Sequence, residues 1–207
     1  MDEPEVNKGI RSVLREDEVE WDEKDDVYKP PIKLLECCLS LIEVDPLIIS
    51  KRPPIFFIRR DILEELKELS KIDIQREHGG ILYGLPYEDP SGIYFVFVTA
   101  AIPALHTTGS STHLRFNEES WQEIWKTMSR LDNQIMVGWY HTHPDLGVFM
   151  SGTDRKTHAL YFPNVWQLAI VIDPVKDKIG YFYGSSGQRL EDVRTFVGKI
   201  PCALETI

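Results

Sequence analysis

Two histidines and an aspartate occur close together in the sequence, at spacings that suit a metal site. His141 and His143 end an apolar stretch, and Asp154 follows after a loop. In an extended strand, residues i and i+2 project from the same face, so both imidazoles can reach one ion. With a carboxylate as third ligand, the fourth tetrahedral position is left for water, as in catalytic rather than structural zinc sites. These spacings predict one zinc ion (Zn2+) per chain, bound by His141, His143 and Asp154.

Glu77 and Ser151 are candidates for catalytic roles beside this metal site. Hydrolysis needs a base that takes a proton from water, and Glu77 precedes a glycine-flanked strand from which its carboxylate can face the metal. The hydroxyl of Ser151 is predicted to stabilise an oxyanion. Ser151 and Asp154 also match a helix capping box, and we expect the pair to serve both purposes. Gly79 and Gly84 are expected to let backbone approach closely around the pocket.

Taken together, these residues resemble the JAMM motif of the MPN+ (JAB domain) metalloproteases. That motif has a glutamate, then His-Ser/Thr-His-Pro, then Ser-x-x-Asp after seven residues counted from the second histidine. Every position matches, and the resemblance covers about residues 55–185. It implies an α/β fold of the α+β type, with a mixed MPN/JAB-like β-sheet flanked by helices and the zinc site at a strand end. It also implies these roles: zinc ligands His141, His143 and Asp154, acid/base Glu77 and oxyanion helper Ser151.

The resemblance also implies a function. It predicts a zinc-dependent isopeptidase or peptidase that cleaves after the C-terminus of ubiquitin or a ubiquitin-like protein, in precursor maturation, deconjugation or both. Only 19 residues separate Asp154 from Asp173, too few for the large insertion of eukaryotic ubiquitin-chain enzymes, so a compact bacterial-type member is expected. One alternative is a non-catalytic MPN scaffold, against which the complete ligand set argues. The other is a RadC-like protein linked to DNA metabolism, against which the lack of a basic patch argues.

Hydrophobic periodicity predicts the elements that must position the site. Strands are predicted at 55–58, 79–84, 93–100, 135–140, 167–172 and 178–183, with the last two forming a hairpin. One helix is predicted to start at Asp61 as its N-cap, and another to span 118–131 with its tryptophans in the core. A Thr/Ser-rich loop at 104–116 is predicted to form a flap over the cleft. The other histidines are expected to be surface or satisfied side chains, with His78 pointing away from Glu77: His78, His106, His113 and His158.

Composition and charge limit the remaining possibilities. Residues 1–26 hold eleven acidic and four basic residues and so carry most of the net charge of −10. We therefore predict an acidic, partly flexible N-terminal extension at 1–52 and a metalloprotease domain at 53–207. Without a basic patch, a secretory signal or a long apolar run, neither nucleic acid nor a membrane is an expected partner. Three cysteines form no disulfide framework, which favours a cytoplasmic protein. The family resemblance implies that its partner is a ubiquitin-like protein or its conjugate.

Overall fold

The computed structural model describes residues 28–35, 53–104, 118–131, 133–191 and 195–198. The chain divides into two compact units, residues 1–30 and 31–207, and the elements below all belong to the second. The helices with their bounds are α1 (Arg60–Ser70), α2 (Glu118–Met128) and α3 (Gly152–Tyr161). The strands are β1 (Ile55–Arg59), β2 (Gly79–Glu88), β3 (Tyr94–Pro103), β4 (Ile135–Thr142), β5 (Leu168–Asp173), β6 (Lys178–Tyr183), β7 (Gln188–Arg189) and β8 (Thr195–Gly198).

The strands form one mixed sheet in the order β7-β6-β5-β4-β2-β3-β1-β8. Strand β4, which ends in the predicted metal ligands, lies between β2, which is antiparallel to it, and β5, which is parallel to it. Strands β5 and β6 form the predicted antiparallel hairpin. The predicted fold class, a mixed sheet flanked by helices, is confirmed.

Apolar side chains cover both faces of this sheet. One hydrophobic cluster joins Ile62 and Leu66 of α1 to Val137 of β4. A second cluster contains Trp139 of β4 together with Ile124 of α2 and Phe162, which follows α3. The pairing of β4 with β2 is irregular near Val137, which faces the first cluster. Beyond this point residues i and i+2 share a face, so Trp139 and His141 lie on the side covered by α2 and α3. Of the two helix tryptophans predicted to lie in the core, Trp121 is partly buried and packs against this second cluster. Trp125 is also only partly buried and belongs to none of the core clusters of the described residues.

Two local predictions were wrong. Helix α1 begins at Arg60 with Arg59 in the N-cap position, so Asp61 is not the cap. Asp61 instead accepts a hydrogen bond from Nε of Arg59 at 2.7 Å, within the first helical turn. Gly84 does not line the pocket, because it pairs with Ile135 at the opposite end of β4 from the predicted ligands. Glycine is required at position 84 by the packing of the sheet, because a Cβ there would lie 1.8 Å from the Phe97 carbonyl oxygen of β3.

The short segment after Pro30 adds to the end of β2. The Glu88 backbone N–H donates to Pro31 O at 3.0 Å, and the Lys33 N–H donates to Glu88 O at 2.9 Å. Leu35 is buried with aromatic residues of β1 and β3. The predicted division of the chain at residues 52 and 53 stays a prediction. Among the described residues, no helix is long and apolar enough to cross a membrane.

Candidate metal centre

Three buried side-chain atoms converge at the end of β4. The Nε2 atoms of His141 and His143 lie 3.2 Å apart, and each lies 3.4 Å from Oδ2 of Asp154. All three residues are buried. Ligand atoms at about 2.0–2.1 Å from a tetrahedral zinc ion would be about 3.3 Å from one another. The triangle of nitrogen and oxygen atoms therefore fits a zinc ion without rearrangement, and this donor set is typical of catalytic zinc.

Sheet register explains why the histidines and Glu77 meet. Gly79 of β2 pairs with His141 of β4 in an antiparallel register. Extending that register by two residues places Glu77 opposite His143, on the same face of the sheet. Its Oε1 atom lies 3.6 Å from Nε2 of His143. Glu77, which comes just before β2, thus lies beside the ligand atoms, as the sequence predicted, while its role as a base stays a prediction.

Burial makes the Glu77 carboxyl a weaker acid than an exposed glutamate. Desolvation raises the pKa of Glu77 to about 7, with a smaller upward effect from Asp154 and an opposing one from His143. The second oxygen of this carboxyl, Oε2, is buried and has no hydrogen-bond partner among the described residues. A carboxyl with this pKa can both accept and release a proton near neutral pH.

Asp154 is held by the capping box that the sequence predicted. The backbone N–H of Ser151 donates to Oδ2 of Asp154 at 2.7 Å, and the Asp154 N–H donates to Oγ of Ser151 at 3.1 Å. The oxygen that Ser151 binds is therefore the same one that faces both imidazoles. Because Oγ of Ser151 accepts in the cap, its own hydroxyl hydrogen remains able to donate to another group. This geometry suits the predicted oxyanion role, which stays a prediction.

The charges of the three ligand residues are strongly linked. Burial alone would raise the pKa of Asp154, but hydrogen bonds from His141, His143 and Ser151 lower it far below its usual value. Burial lowers the pKa of His141. Burial acts in the same direction on His143, but the neighbouring Asp154 and Glu77 carboxylates outweigh it and raise the pKa of His143. An anionic carboxylate beside imidazoles is the arrangement that a cation requires of its ligands.

Asp173 anchors the loop that carries the chain from His143 back to Ser151. It is fully buried, and its carboxylate accepts the N–H of Asp145 at 3.1 Å and of Gly147 at 2.7 Å. In the sequence, this residue served only as a landmark showing that no large insertion follows Asp154. The structure shows that it ties the loop to the β5–β6 hairpin.

Two residues behind the ligands were missed by sequence reasoning as parts of the site: Trp139, which contacts His141, and His158, which contacts Trp139. The Trp139 indole stacks on the His141 imidazole, with ring centroids 4.4 Å apart and planes 15° apart. Its Nε1 donates to Nδ1 of His158 on α3 at 3.0 Å. His158 was predicted to be a surface or satisfied histidine, but it is fully buried, and only its Nδ1 has a hydrogen-bond partner among the described residues. Their positions in the sequence could have revealed them. Trp139 lies two residues before His141 on the same strand face, and His158 lies one helical turn after Asp154.

The remaining predictions concern His78, the loop at 104–116 and the two histidines of that loop. The backbone N–H of His78 donates to Oγ1 of Thr142 at 3.0 Å, so this residue joins β2 to the end of β4. The predicted flap at 104–116, apart from Ala104, and its histidines His106 and His113 lie outside the described residues.

Comparison with known proteins agrees with this geometry. The family described as "JAB1/Mov34/MPN/PAD-1 ubiquitin protease" matches residues 61–163, a segment that contains all five site residues. This chain belongs to the JAB/MPN family. Its JAB/MPN domain is 33% identical over 88 residues to COP9 signalosome complex subunit 5 of Caenorhabditis elegans, covering 39% of this chain and 23% of that protein. The corresponding subunit of Dictyostelium discoideum is 35% identical over 81 residues, covering 35% of this chain and 24% of that protein.

An archaeal relative has a different printed activity. The NAD(+) hydrolase TcpA of Theionarchaea archaeon (strain DG-70-1) is 36% identical over 104 residues, which cover 49% of this chain and 28% of that protein. The JAB/MPN domain thus spans about a quarter of the length of these curated relatives. Among solved structures, a solution structure of a Desulfitobacterium hafniense protein shares the fold, with a TM-score of 0.55 and 18% identity. The alignment covers 74% of this chain and 99% of the Desulfitobacterium hafniense chain.

Proposed function

We propose that this protein is a zinc-dependent isopeptidase or peptidase that cleaves after the C-terminus of a ubiquitin-like protein. The observation that carries the proposal is the triangle of His141, His143 and Asp154 atoms with the Glu77 carboxylate beside it. Three protein ligands leave one zinc position open, and a buried carboxyl next to that position suits general acid–base catalysis of hydrolysis.

The chain's own residues divide the chemistry among them. His141, His143 and Asp154 would hold zinc, which lowers the pKa of a water molecule and polarises a carbonyl group. Glu77 takes a proton from the attacking water and delivers it to the leaving amine, for which its pKa of about 7 is suited. The Ser151 hydroxyl donates a hydrogen bond to the oxygen of the tetrahedral intermediate. Its position is fixed because Oγ is already held by the Asp154 N–H.

Burial of the site limits the form of the substrate. His141, His143, Asp154 and Glu77 are each 0–4% exposed, so a bulky folded surface cannot reach the ligand atoms. An extended C-terminal tail with small residues near the scissile bond can, because its backbone can approach the metal and Ser151 closely. The folded body of the substrate would then contact the surface around the cleft and supply binding energy for the reaction. Ubiquitin-like proteins and their conjugates combine such a tail with a compact body.

Cleavage of three matched substrates tests the proposal. We expect a ubiquitin-like protein fused through its C-terminus to be cleaved, the isolated tail peptide to be cleaved with much lower kcat/KM, and unfolded casein to stay largely intact. Glu77→Gln protein, prepared in parallel, serves as the inactive control. Equal kcat/KM for the peptide and the fusion would refute recognition of a folded substrate and would indicate a general peptidase.

NAD+ is the matched negative control in the same assay. The archaeal relative's name attaches NAD+ hydrolysis to a protein of which this domain spans only 28%, so that activity does not carry over with the match. We expect no consumption of NAD+ that depends on Glu77. Consumption of NAD+ by the wild-type protein but not by Glu77→Gln would contradict the proposed substrate class.

A further inference from the structure

Helix α3 reaches the metal centre at one position and the core of the sheet at another, one turn later. Asp154 and His158 are four residues apart on α3, and both are buried. Residues at this spacing lie on the same face of a helix. Trp139 and His141 are two residues apart on β4 and therefore share a face of the strand. Two contacts thus join the same pair of elements: Asp154 with His141, and His158 with Trp139.

The hydrogen bond between Trp139 and His158 has a defined donor and acceptor. The indole N–H of Trp139 can only donate, so Nδ1 of His158 must be the acceptor at the observed 3.0 Å. That assignment makes His158 a neutral imidazole with its proton on Nε2. A buried hydrogen bond of this kind fixes both the rotation of α3 and its position along β4, because leaving either partner unsatisfied is costly.

The first ligand, His141, lacks the support that metal-binding histidines usually have. Such a residue commonly donates its second ring N–H to a carboxylate or carbonyl, which fixes the plane of the ring. Nδ1 of His141 is buried, and none of the described residues accepts a hydrogen bond from it. Its ring is instead packed against Trp139, with centroids 4.4 Å apart and planes 15° apart. Phe162 lies nearly parallel to the same indole, at 6.1 Å and 3°.

We propose that Trp139 and His158 are positioning residues of the metal centre. Their hydrogen bond sets α3 against β4 so that the Asp154 carboxylate meets the two imidazoles, and the Trp139 ring sets the plane of His141. This inference rests on the proposed zinc site and adds to it a buried support that reaches from the ligands into the sheet core.

Zinc affinity of purified variants, measured by competition with a chromophoric chelator, tests the inference. His158→Leu removes the acceptor and should raise the zinc Kd by about 10-fold or more, the usual effect of losing support behind a ligand. His158→Asn places an amide oxygen where Nδ1 was, so it should restore the Kd to within about 3-fold of wild type. Trp139→Phe keeps an aromatic ring beside His141 but removes the N–H, and should weaken zinc binding in the same way as His158→Leu.

A structural control separates positioning from general stability. Thr99→Val removes a partly buried hydrogen bond, from Oγ1 of the buried Thr99 to Oε1 of Gln134 at 2.6 Å, on a strand that supplies no ligand. It should lower the melting temperature without changing the zinc Kd. Cobalt(II) in place of zinc should show altered absorption bands in His158→Leu and wild-type bands in His158→Asn. If His158→Leu does not fold, as judged by circular dichroism, Trp139→Phe decides the matter.

The possible results are distinct. If wild-type protein binds zinc and the Leu and Phe variants bind it with unchanged Kd and cobalt spectrum, the positioning inference is overturned while the zinc site stands. If the Asn variant binds zinc as weakly as the Leu variant, the hydrogen bond is not the cause, and the inference is also overturned. If wild-type protein binds no zinc at the ligand triangle, the proposed function fails first.

Discussion

Asp154 performs two tasks through one carboxylate. Its Oδ2 atom accepts the Ser151 N–H at 2.7 Å and lies 3.4 Å from the Nε2 atom of each ligand histidine. The start of helix α3 and the third metal ligand are therefore fixed by the same atom. A substitution that keeps the capping geometry but removes the negative charge should separate these tasks, since the side-chain oxygen of asparagine can accept the same Ser151 N–H.

The first prediction is that Asp154→Asn loses zinc but keeps its fold. A neutral amide is a poor ligand for zinc, whereas its oxygen can still accept the Ser151 N–H. Elemental analysis of protein purified without chelator should find about one zinc per chain in wild type and in Glu77→Gln, and little in Asp154→Asn or His141→Ala. Turnover by Glu77→Gln should fall about 10²–10⁴-fold with the metal retained. Stoichiometric zinc in Asp154→Asn, or normal turnover by Glu77→Gln, would show that these residues are wrongly assigned.

The ligands could be predicted from the sequence because each has a local signal. His141 and His143 alternate at a strand end, and Ser151 and Asp154 form a box at a helix start. Glu77 had only a weak signal, its place before a glycine-flanked strand, and the family resemblance supplied the rest. The Trp139–His158 contact was not predicted, because it joins residues 19 positions apart whose partnership depends on how α3 packs on β4.

At the scale of secondary structure, the metal centre depends on β4 being enclosed by strands on both sides. Gly79 of β2 and Val171 of β5 both pair with His141. Six of the eight strands among the described residues were predictable from apolar runs, whereas the short β7 and β8 were not. Strand order was not predictable either, since the pairing of β4 with β2 and β5 is set by contacts distant in sequence. The Asp61 cap was mispredicted for a related reason: the helix follows directly from β1, so its start is set by where the strand ends.

The second prediction concerns the close approach of β2 to β3. Gly84→Ala should destabilise the fold by about 1–3 kcal/mol or more, because the new Cβ would overlap the Phe97 carbonyl oxygen and force the strands apart. Gly152→Ala is the matched control, since a Cβ there meets nothing within 4 Å. Denaturant unfolding monitored by tryptophan fluorescence measures both. A Gly84→Ala protein as stable as the control would contradict the packing.

The third prediction concerns Asp173 and the loop behind the metal centre. Burial alone would raise the pKa of Asp173, but the backbone N–H groups that it accepts, from Lys176, Gly147, Asp145 and Val175, lower it below its usual value. Such a carboxylate stabilises the fold above its unfolded-state pKa of about 3.9, and this contribution is lost as pH falls through the lower folded-state pKa.

Asp173→Asn should therefore be less stable than wild type at pH 7, by about 1.5–3 kcal/mol for hydrogen bonds to a charged group. The difference between the two proteins should shrink as pH falls below about 4, because Asp173 is then protonated in the unfolded chain, and it should vanish once the folded protein is protonated at its lower pKa. Denaturant unfolding at pH 7 and at several acidic pH values measures the difference. A difference that does not depend on pH would mean that the charge of Asp173 contributes nothing to holding the loop.

At the scale of the whole molecule, the metal centre joins parts of the chain that are far apart in sequence. Glu77 precedes β2, the histidines end β4 and Asp154 starts α3, so the site exists only when the sheet and α3 are assembled. A ligand that binds this assembled form and not the unfolded chain must stabilise the entire domain. Its effect on unfolding therefore reports on the completed fold rather than on a local segment.

The fourth prediction is that zinc raises the melting temperature of the domain. At a free zinc concentration about 1,000 times its Kd, binding should add about 4 kcal/mol of stability. For a chain of this size, that corresponds to an increase of about 8–16 °C. Glu77→Gln should show the same increase, because Glu77 is not a ligand, whereas Asp154→Asn should show little. Thermal unfolding followed by circular dichroism, with and without zinc, measures the change in melting temperature. An equal increase in Asp154→Asn would place the bound zinc elsewhere on the protein, and the triangle at the end of β4 would lose its assignment as the metal centre.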